Sequence, residues 1–196
     1  MGLNLLPFFL RDFYEAYEWN NACAILKMDY PREFNDINDL LENFRLEKSW
    51  IVKPGGRKSP ISDFIDSFLY KRGWKESAFN IKIEVDDQIK KTATHKIDCY
   101  KNEVGVEIEW NNKDPFFDRD LANFRLLFEL QAIRVGVIIT RSDSLQDIFN
   151  ELGKGASYGS STTHMGKLIP RINSGVGGGC PFLVFGITKR LYIADI

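Results

Sequence analysis

Between His95 and Trp110 the chain reads HKIDCYKNEVGVEIEW, a stretch that limits the possible folds more than any other. Ile97 to Tyr100 and Val104 to Trp110 alternate with the two-residue period of half-buried strands, and the polar pair Asn102-Glu103 separates them. A hairpin turning at that pair sets Lys101 against Val104, Tyr100 against Gly105 and Asp98 against Glu107. Glu109, two residues further on, joins the same face, while Val104, Val106, Ile108 and Trp110 form an apolar one. Opposed side chains have Cβ atoms about 4.5–5.5 Å apart, where like charges destabilise a sheet unless something intervenes. A divalent cation is the natural remedy. Oxygen ligands in this number suit Mg²⁺, with Mn²⁺ able to substitute, hard ions that keep several waters and engage phosphate. Phosphodiester hydrolysis is the chemistry implied. The plainer alternative is a solvent-facing hairpin whose acids keep it soluble; acid opposite acid in a hydrophobic hairpin, where Lys or Thr would stabilise more, argues against it.

The same residues resemble a known family. Asp98 followed nine positions later by Glu107-x-Glu109 matches the signature of the PD-(D/E)xK nucleases, and the local run is similar to the type II restriction endonucleases of the BglII and BstYI type. Arg72-Gly73-Trp74-Lys75-Glu76 resembles a helix-ending segment of those enzymes, and Trp110-Asn111-Asn112 with Pro115-Phe116 resembles the loop after their motif. The resemblance runs from about residue 60 to the last strand. Glu109 departs from it, standing where many of the superfamily carry Lys and the BglII type has Gln, although Glu is known there in the BamHI type. What the resemblance implies is a Mg²⁺-dependent enzyme that cuts double-stranded DNA at a short palindromic site as a homodimer. Asp98, Glu107 and the carbonyl of Ile108 would hold the metal, with Glu109 orienting or deprotonating the attacking water. Two further readings remain open: a structure-selective repair or junction nuclease of the same superfamily, and a non-catalytic DNA-binding module.

A chain of 196 residues with 44% hydrophobic content suits a single domain with a real core. The expected division is one nuclease domain over 1–196, with an acidic helical region at 1–47 and the catalytic core at 48–196. A net charge of −1 and a pI near 6.2 exclude a histone-like polyanion binder, so any DNA surface must come from local charge. Up to Glu47 there are four basic residues (11, 27, 32, 45) against nine acidic (12, 15, 18, 29, 33, 36, 39, 42, 47). That region should pack or dimerise, not face phosphate. Cys23, Cys99 and Cys180 are an odd, widely spaced set, as expected of free thiols in a reducing cytoplasm. The opening MGLNLLPFFLRDF, broken by Pro7 and closed by Arg11-Asp12, suits neither a signal peptide nor a membrane span.

Aromatic and aliphatic spacing predicts a helix over residues 8 to 28, then a second helix capped by Asp29 and carrying Phe34, Ile37, Leu40, Leu41 and Phe44. Ser59-Pro60 should start a helix that Gly73 ends, with Ile61, Phe64, Ile65, Phe68 and Leu69 buried. Asp63 and Asp66 near its start suit the helix dipole, and in related nucleases an acid from this helix joins the metal, which leaves Asp63 as a further ligand through water. A strand is expected over 79–85, a helix capped by Asp118, a doubly buried strand over 135–140, a short helix over 142–152 and strands over 181–188 and 191–194. The order gives an α/β class: a mixed central sheet flanked by helices, as in restriction-endonuclease-like cores.

Candidate DNA contacts fall in three places. Lys48 to Lys75 holds seven basic residues (48, 53, 57, 58, 71, 72, 75) against two acids, and Arg57 and Lys58 in its glycine-rich loop make a phosphate clamp or merely a solvated loop. Asn112 could pair with adenine or cap the following turn. The stretch 157–171, with Ser161, Thr162, Thr163, His164 and Lys167, offers donors, acceptors and charge, and its position resembles a DNA-reading segment of the family; it could equally be an ordinary polar loop. The glycines at 175, 177, 178 and 179 are expected to form a mobile loop near the site.

Overall fold

In place of one helix over 8–28, the computed structural model, which describes residues 2–53, 56 and 58–194, has α1 (Phe8–Phe13), strand β1 (Tyr14–Trp19) and α2 (Ala22–Asp29). Tyr-Glu-Ala-Tyr-Glu-Trp can alternate as a strand, and Asn20 and Asn21, with φ of 51° and 58°, turn the chain back in the left-handed region that Asn tolerates. α3 (Pro31–Asn43) starts with Pro31 in its first turn and Tyr30 as cap residue, so Asp29 does not cap it. Its stripe Phe34, Ile37, Leu40 and Leu41 is buried, as its spacing predicts.

β2 (Leu46–Glu47) and α4 (Lys48–Val52) lead to α5 (Pro60–Tyr70). The Ser59 hydroxyl accepts the Ser62 N–H at 3.0 Å, a cap worth about 1 kcal/mol, and Gly73 with φ 86° carries the chain away after the last turn. β3 (Lys75–Ser77), β4 (Asn80–Val85), β5 (Gln88–Ala93), β6 (Ile97–Lys101) and β7 (Val104–Glu109) follow. α6 (Phe116–Glu129), β8 (Val135–Arg141), α7 (Gln146–Glu151), α8 (Met165–Asn173), β9 (Phe182–Ile187) and β10 (Tyr192–Ile193) complete the chain.

Six strands form the central sheet in the order β1-β9-β8-β7-β6-β3. β7, β8 and β9 run parallel, and β1, β6 and β3 are antiparallel to their neighbours, so the sheet is mixed and β8 lies inside it. Helices cover both faces. On one side Val104, Val106, Ile108, Trp110, Val137, Ile139, Leu183 and Phe185 pack against α1 to α5; on the other, Ile138, Phe182 and Val184 pack against α6 and α8. Each such aliphatic burial contributes about 1.5–3 kcal/mol, enough to fix the register of the inner strands. β1 belongs to this sheet, so the acidic first third is built into the core architecture, and no helix is long and apolar enough to cross a membrane among the described residues.

Candidate active site

The β6–β7 turn has Asn102 at φ 45° and Glu103 at φ 65°, the two left-handed residues of a tight hairpin turn. Pairing runs Lys101↔Val104, Tyr100↔Gly105 and Cys99↔Val106, as the pattern predicts. The ladder then stops. On its other edge β6 pairs with β3 at Lys75↔Tyr100 and Ser77↔Ile97, which leaves one extra residue on β6. Ile97 accordingly packs in the α6 layer while Cys99 packs in the opposite one, although both are odd-numbered. Such bulges re-aim side chains. Here the bulge frees Asp98 from main-chain pairing: its Oδ2 accepts the Ile108 N–H at 3.0 Å, and its own N–H points at Glu107 Oε2, 3.4 Å away.

The acidic face of β7 is covered by α6. Gly105 and Gly136, neighbours across β7 and β8, leave a slot for Phe124; a Cβ on Gly105 would lie 2.6 Å from its ring. That close approach brings down Asp120 and Arg119 one turn earlier. Asp120 has no exposed surface, and Glu107 and Glu109 are each 2% exposed. Arg119 donates through Nε to Asp120 Oδ1 at 2.8 Å and through Nη2 to Glu109 Oε1 at 3.4 Å, with its guanidinium over the Phe116 ring. Asn112 Nδ2 donates to Glu109 Oε2 at 2.7 Å.

Burial raises the pKa of Asp98, with the charge of Asp66 adding to it and the Ile108 N–H opposing. Burial likewise raises Glu107, reinforced by Asp120 and then Asp98. Glu109 is pushed up to about 9 by burial and by Asp120. Burial raises Asp120 as well, opposed by Glu109 and the Arg119 guanidinium. Glu107 Oε1 and Asp120 Oδ2 are buried without a hydrogen-bond partner. Orphaned carboxylate oxygens are costly, so these residues fit a hard cation. Among the described residues no three His, Cys, Asp or Glu side chains already converge as a closed cage. Any such ion would have to take much of its shell from water, main-chain carbonyl and phosphate oxygens.

The helix acid nearest this cluster is Asp66, not Asp63. Asp66 is 5% exposed, accepts the Cys99 thiol at 3.4 Å and binds Lys58 Nζ at 2.5 Å. Asp63 is exposed and reaches only Lys58, at 3.1 Å. Lys58 is thus bound to carboxylates beside the site; Arg57 lies outside the described residues.

In the 157–171 stretch Ser161 is exposed, but Thr162 and Thr163 are 8% and 0% exposed. The Thr162 hydroxyl accepts Arg141 Nη2 at 2.8 Å, and Arg141, itself buried at the end of β8, also donates to the Tyr158 carbonyl at 3.0 Å. The Thr163 N–H donates to the Asn112 carbonyl at 2.9 Å, joining this loop to the end of the catalytic strand. His164 Nδ1 lies 2.6 Å from Asp143 Oδ1 without hydrogen-bond alignment, and Lys167 Nζ is 3.8 Å from Asp114. From Met165 the stretch is α8, with Met165, Leu168 and Ile172 buried. The glycines at 177 and 178 pack on Phe182 and Arg125, toward the far end of α6 from Asp120. Asp118 does not cap α6, whose cap residue is Pro115; it binds Arg171 Nε at 2.8 Å instead.

A family model described as restriction endonuclease BglII/BglIII matches residues 14–187. The chain belongs to that family. It is therefore a type II restriction endonuclease, a site-specific deoxyribonuclease acting on DNA. The match starts at Tyr14, well before residue 60, at the first residue of edge strand β1. No curated protein sequence matches the chain.

Asp120 is absent from the sequence reading, and Asp66 is read there only as suiting the helix dipole. Asp120 had a signal: Phe117, Asp120, Leu121 and Phe124 share one helical face, and a carboxylate on an otherwise apolar stripe must be partnered.

Proposed function

We propose that this endonuclease depends on Mg²⁺, with Mn²⁺ able to substitute, and cuts a short palindromic duplex site as a homodimer. The observation that carries the reading is the meeting of Asp98 and Glu107 with the buried, unpartnered Glu107 Oε1. Asp98, Glu107 and the Ile108 carbonyl are the proposed ligands, and Asp66 is the acid placed to join them. A hard divalent ion there would polarise the scissile phosphate and acidify a bound water.

The Ile108 N–H donates to Asp98 Oδ2 and so holds its rotamer. Burial and Asp120 push the Glu109 pKa up to about 9 against the opposing pull of Asn112 and Arg119, and cation binding displaces protons from such groups. Once ionised, and held by Asn112 and Arg119, Glu109 orients the attacking water or takes its proton. Ser161, Lys167 and Asn112 are the residues of the set with exposed polar ends for DNA, whereas Thr162, Thr163 and His164 support the loop that carries them. Twofold symmetry in the protein would mirror that of the site.

The test is incubation with bacteriophage DNA and Mg²⁺, with and without chelator. Discrete fragments that vanish on chelation are expected. Cutting confined to branched substrates would point to a junction nuclease, and binding without cutting to a non-catalytic module.

A further inference from the structure

β4 and β5 pair only with each other, from Asn80↔Ala93 to Val85↔Gln88, as a two-stranded hairpin outside the central sheet. Its root is fixed at the catalytic end of β6. The Thr94 N–H donates to the Phe79 carbonyl at 3.0 Å and the Phe79 N–H to Thr94 Oγ1 at 2.9 Å. Asn123, one turn after Asp120 on α6, donates to the His95 carbonyl at 3.1 Å, and Asp98 is three residues further along. Six residues per strand give a length of about 20 Å at 3.3 Å each, or about six base-pair steps at 3.4 Å along the DNA axis.

Lys82 stands directly opposite Lys91, and both are exposed. Like charges so placed destabilise a hairpin by themselves. No ion pair engages Lys82, Lys90 or Lys91 among the described residues. The two lysines, with Asn80, Ile81 and Ala93, line an open hollow of about 370 Å³. On that face Glu84 comes two residues nearer the tip, and Asp86-Asp87 form the turn, so the cationic part is the half nearer the root, the end that leads into β6.

We propose that the root of the β4–β5 hairpin is an arm that follows one phosphate backbone of the bound duplex, with Lys82 and Lys91 as its phosphate contacts. The proposal rests on the duplex binding at the Asp98–Glu107 cluster. A phosphate between the two ammonium groups turns their repulsion into attraction, as a cation does for the carboxylates.

The test measures binding of a duplex of about 30 base pairs, in chelator so that nothing is cut, over a range of salt. Each phosphate contact contributes about 0.9 to the slope of log affinity against log salt, so the K82Q/K91Q double variant should have a slope shallower by about 1.8. K27Q/K189Q, which removes the same charge elsewhere, should leave the slope near wild type, and the thermal midpoint of K82Q/K91Q should equal or exceed wild type. An unchanged slope in K82Q/K91Q, or an equal loss in the control, overturns the arm. So does a lowered midpoint, or a dimer that dissociates in the variant, which would make the hairpin a contact with a second copy. Wild-type protein that neither binds nor cuts duplex DNA would instead overturn the reading of the acid cluster.

Discussion

Both antiparallel hairpins of this endonuclease set like charges against each other, and they differ in what surrounds the charges. In β6–β7 the carboxylates of Asp98 and Glu107 meet beneath α6, joined by Glu109 and Asp120 in a space nearly closed to solvent. In β4–β5 Lys82 and Lys91 stand opposite each other across the strands, both exposed to water. Exposed charges are screened, so their repulsion costs little, whereas buried charges of one sign must bind protons or a counter-ion. On the proposals made above, one hairpin carries the chemistry and the other a contact with the duplex.

The largest break in that comparison should come from neutralising the acids. Asp98→Asn or Glu107→Gln should lower cleavage by on the order of 10³-fold, the scale of a lost transition-state electrostatic contact, as read by fragment yield. Folding should survive, because each change relieves buried repulsion; in chelator the thermal midpoint is expected at or above wild type.

A second break concerns pH. A carboxyl whose pKa is raised on folding binds its proton more tightly in the native state. Its stabilisation is complete below the unfolded value, about 4.3 for Glu, and is lost as pH rises through the folded value. For Glu109 that window ends at about 9. Stability in chelator should therefore fall between those limits by up to about 1.4 kcal/mol per pH unit per proton, and Glu109→Gln should flatten the fall. A midpoint that climbs from pH 5 to pH 9 would contradict the raised values.

A smaller effect tests the roof of the site. Gly105→Ala should cost about 1–3 kcal/mol by overpacking, since its Cβ meets Phe124, and should depress cleavage by displacing Asp120 with the helix. Smallest of all, K82Q/K91Q should change stability by less than about 1 kcal/mol, in the stabilising direction. Chemical denaturation measures both, and a large loss from the lysine pair would erase the contrast between the hairpins.

Much of this was legible in the residues. The run Ile97 to Trp110 gave strands, turn and the register next to the turn, because the turn pair allowed one pairing there, whereas the bulge that ends the ladder before the expected Asp98–Glu107 pair left no mark in it. Ser59-Pro60 and the apolar run from Val135 were equally direct. What escaped depended on distant partners. β1 has aromatic spacing that serves a helix as well as a strand, and only pairing with β9 decides it. The burial of Asp120, Asp66 and Thr163 follows from where α6, α5 and the 157–163 loop come to rest, and Arg141 becomes the anchor of that loop only because β8 ends beneath it.

The account's central claim is that the buried acids clasp one divalent ion, and calorimetric titration with Mn²⁺ near pH 8, repeated in buffers of different ionisation heat, tests it most directly. Wild-type protein should bind the ion and release protons as it does so, and Glu107→Gln should lose most of the affinity. Equal binding by both proteins, or binding without proton release, would contradict it.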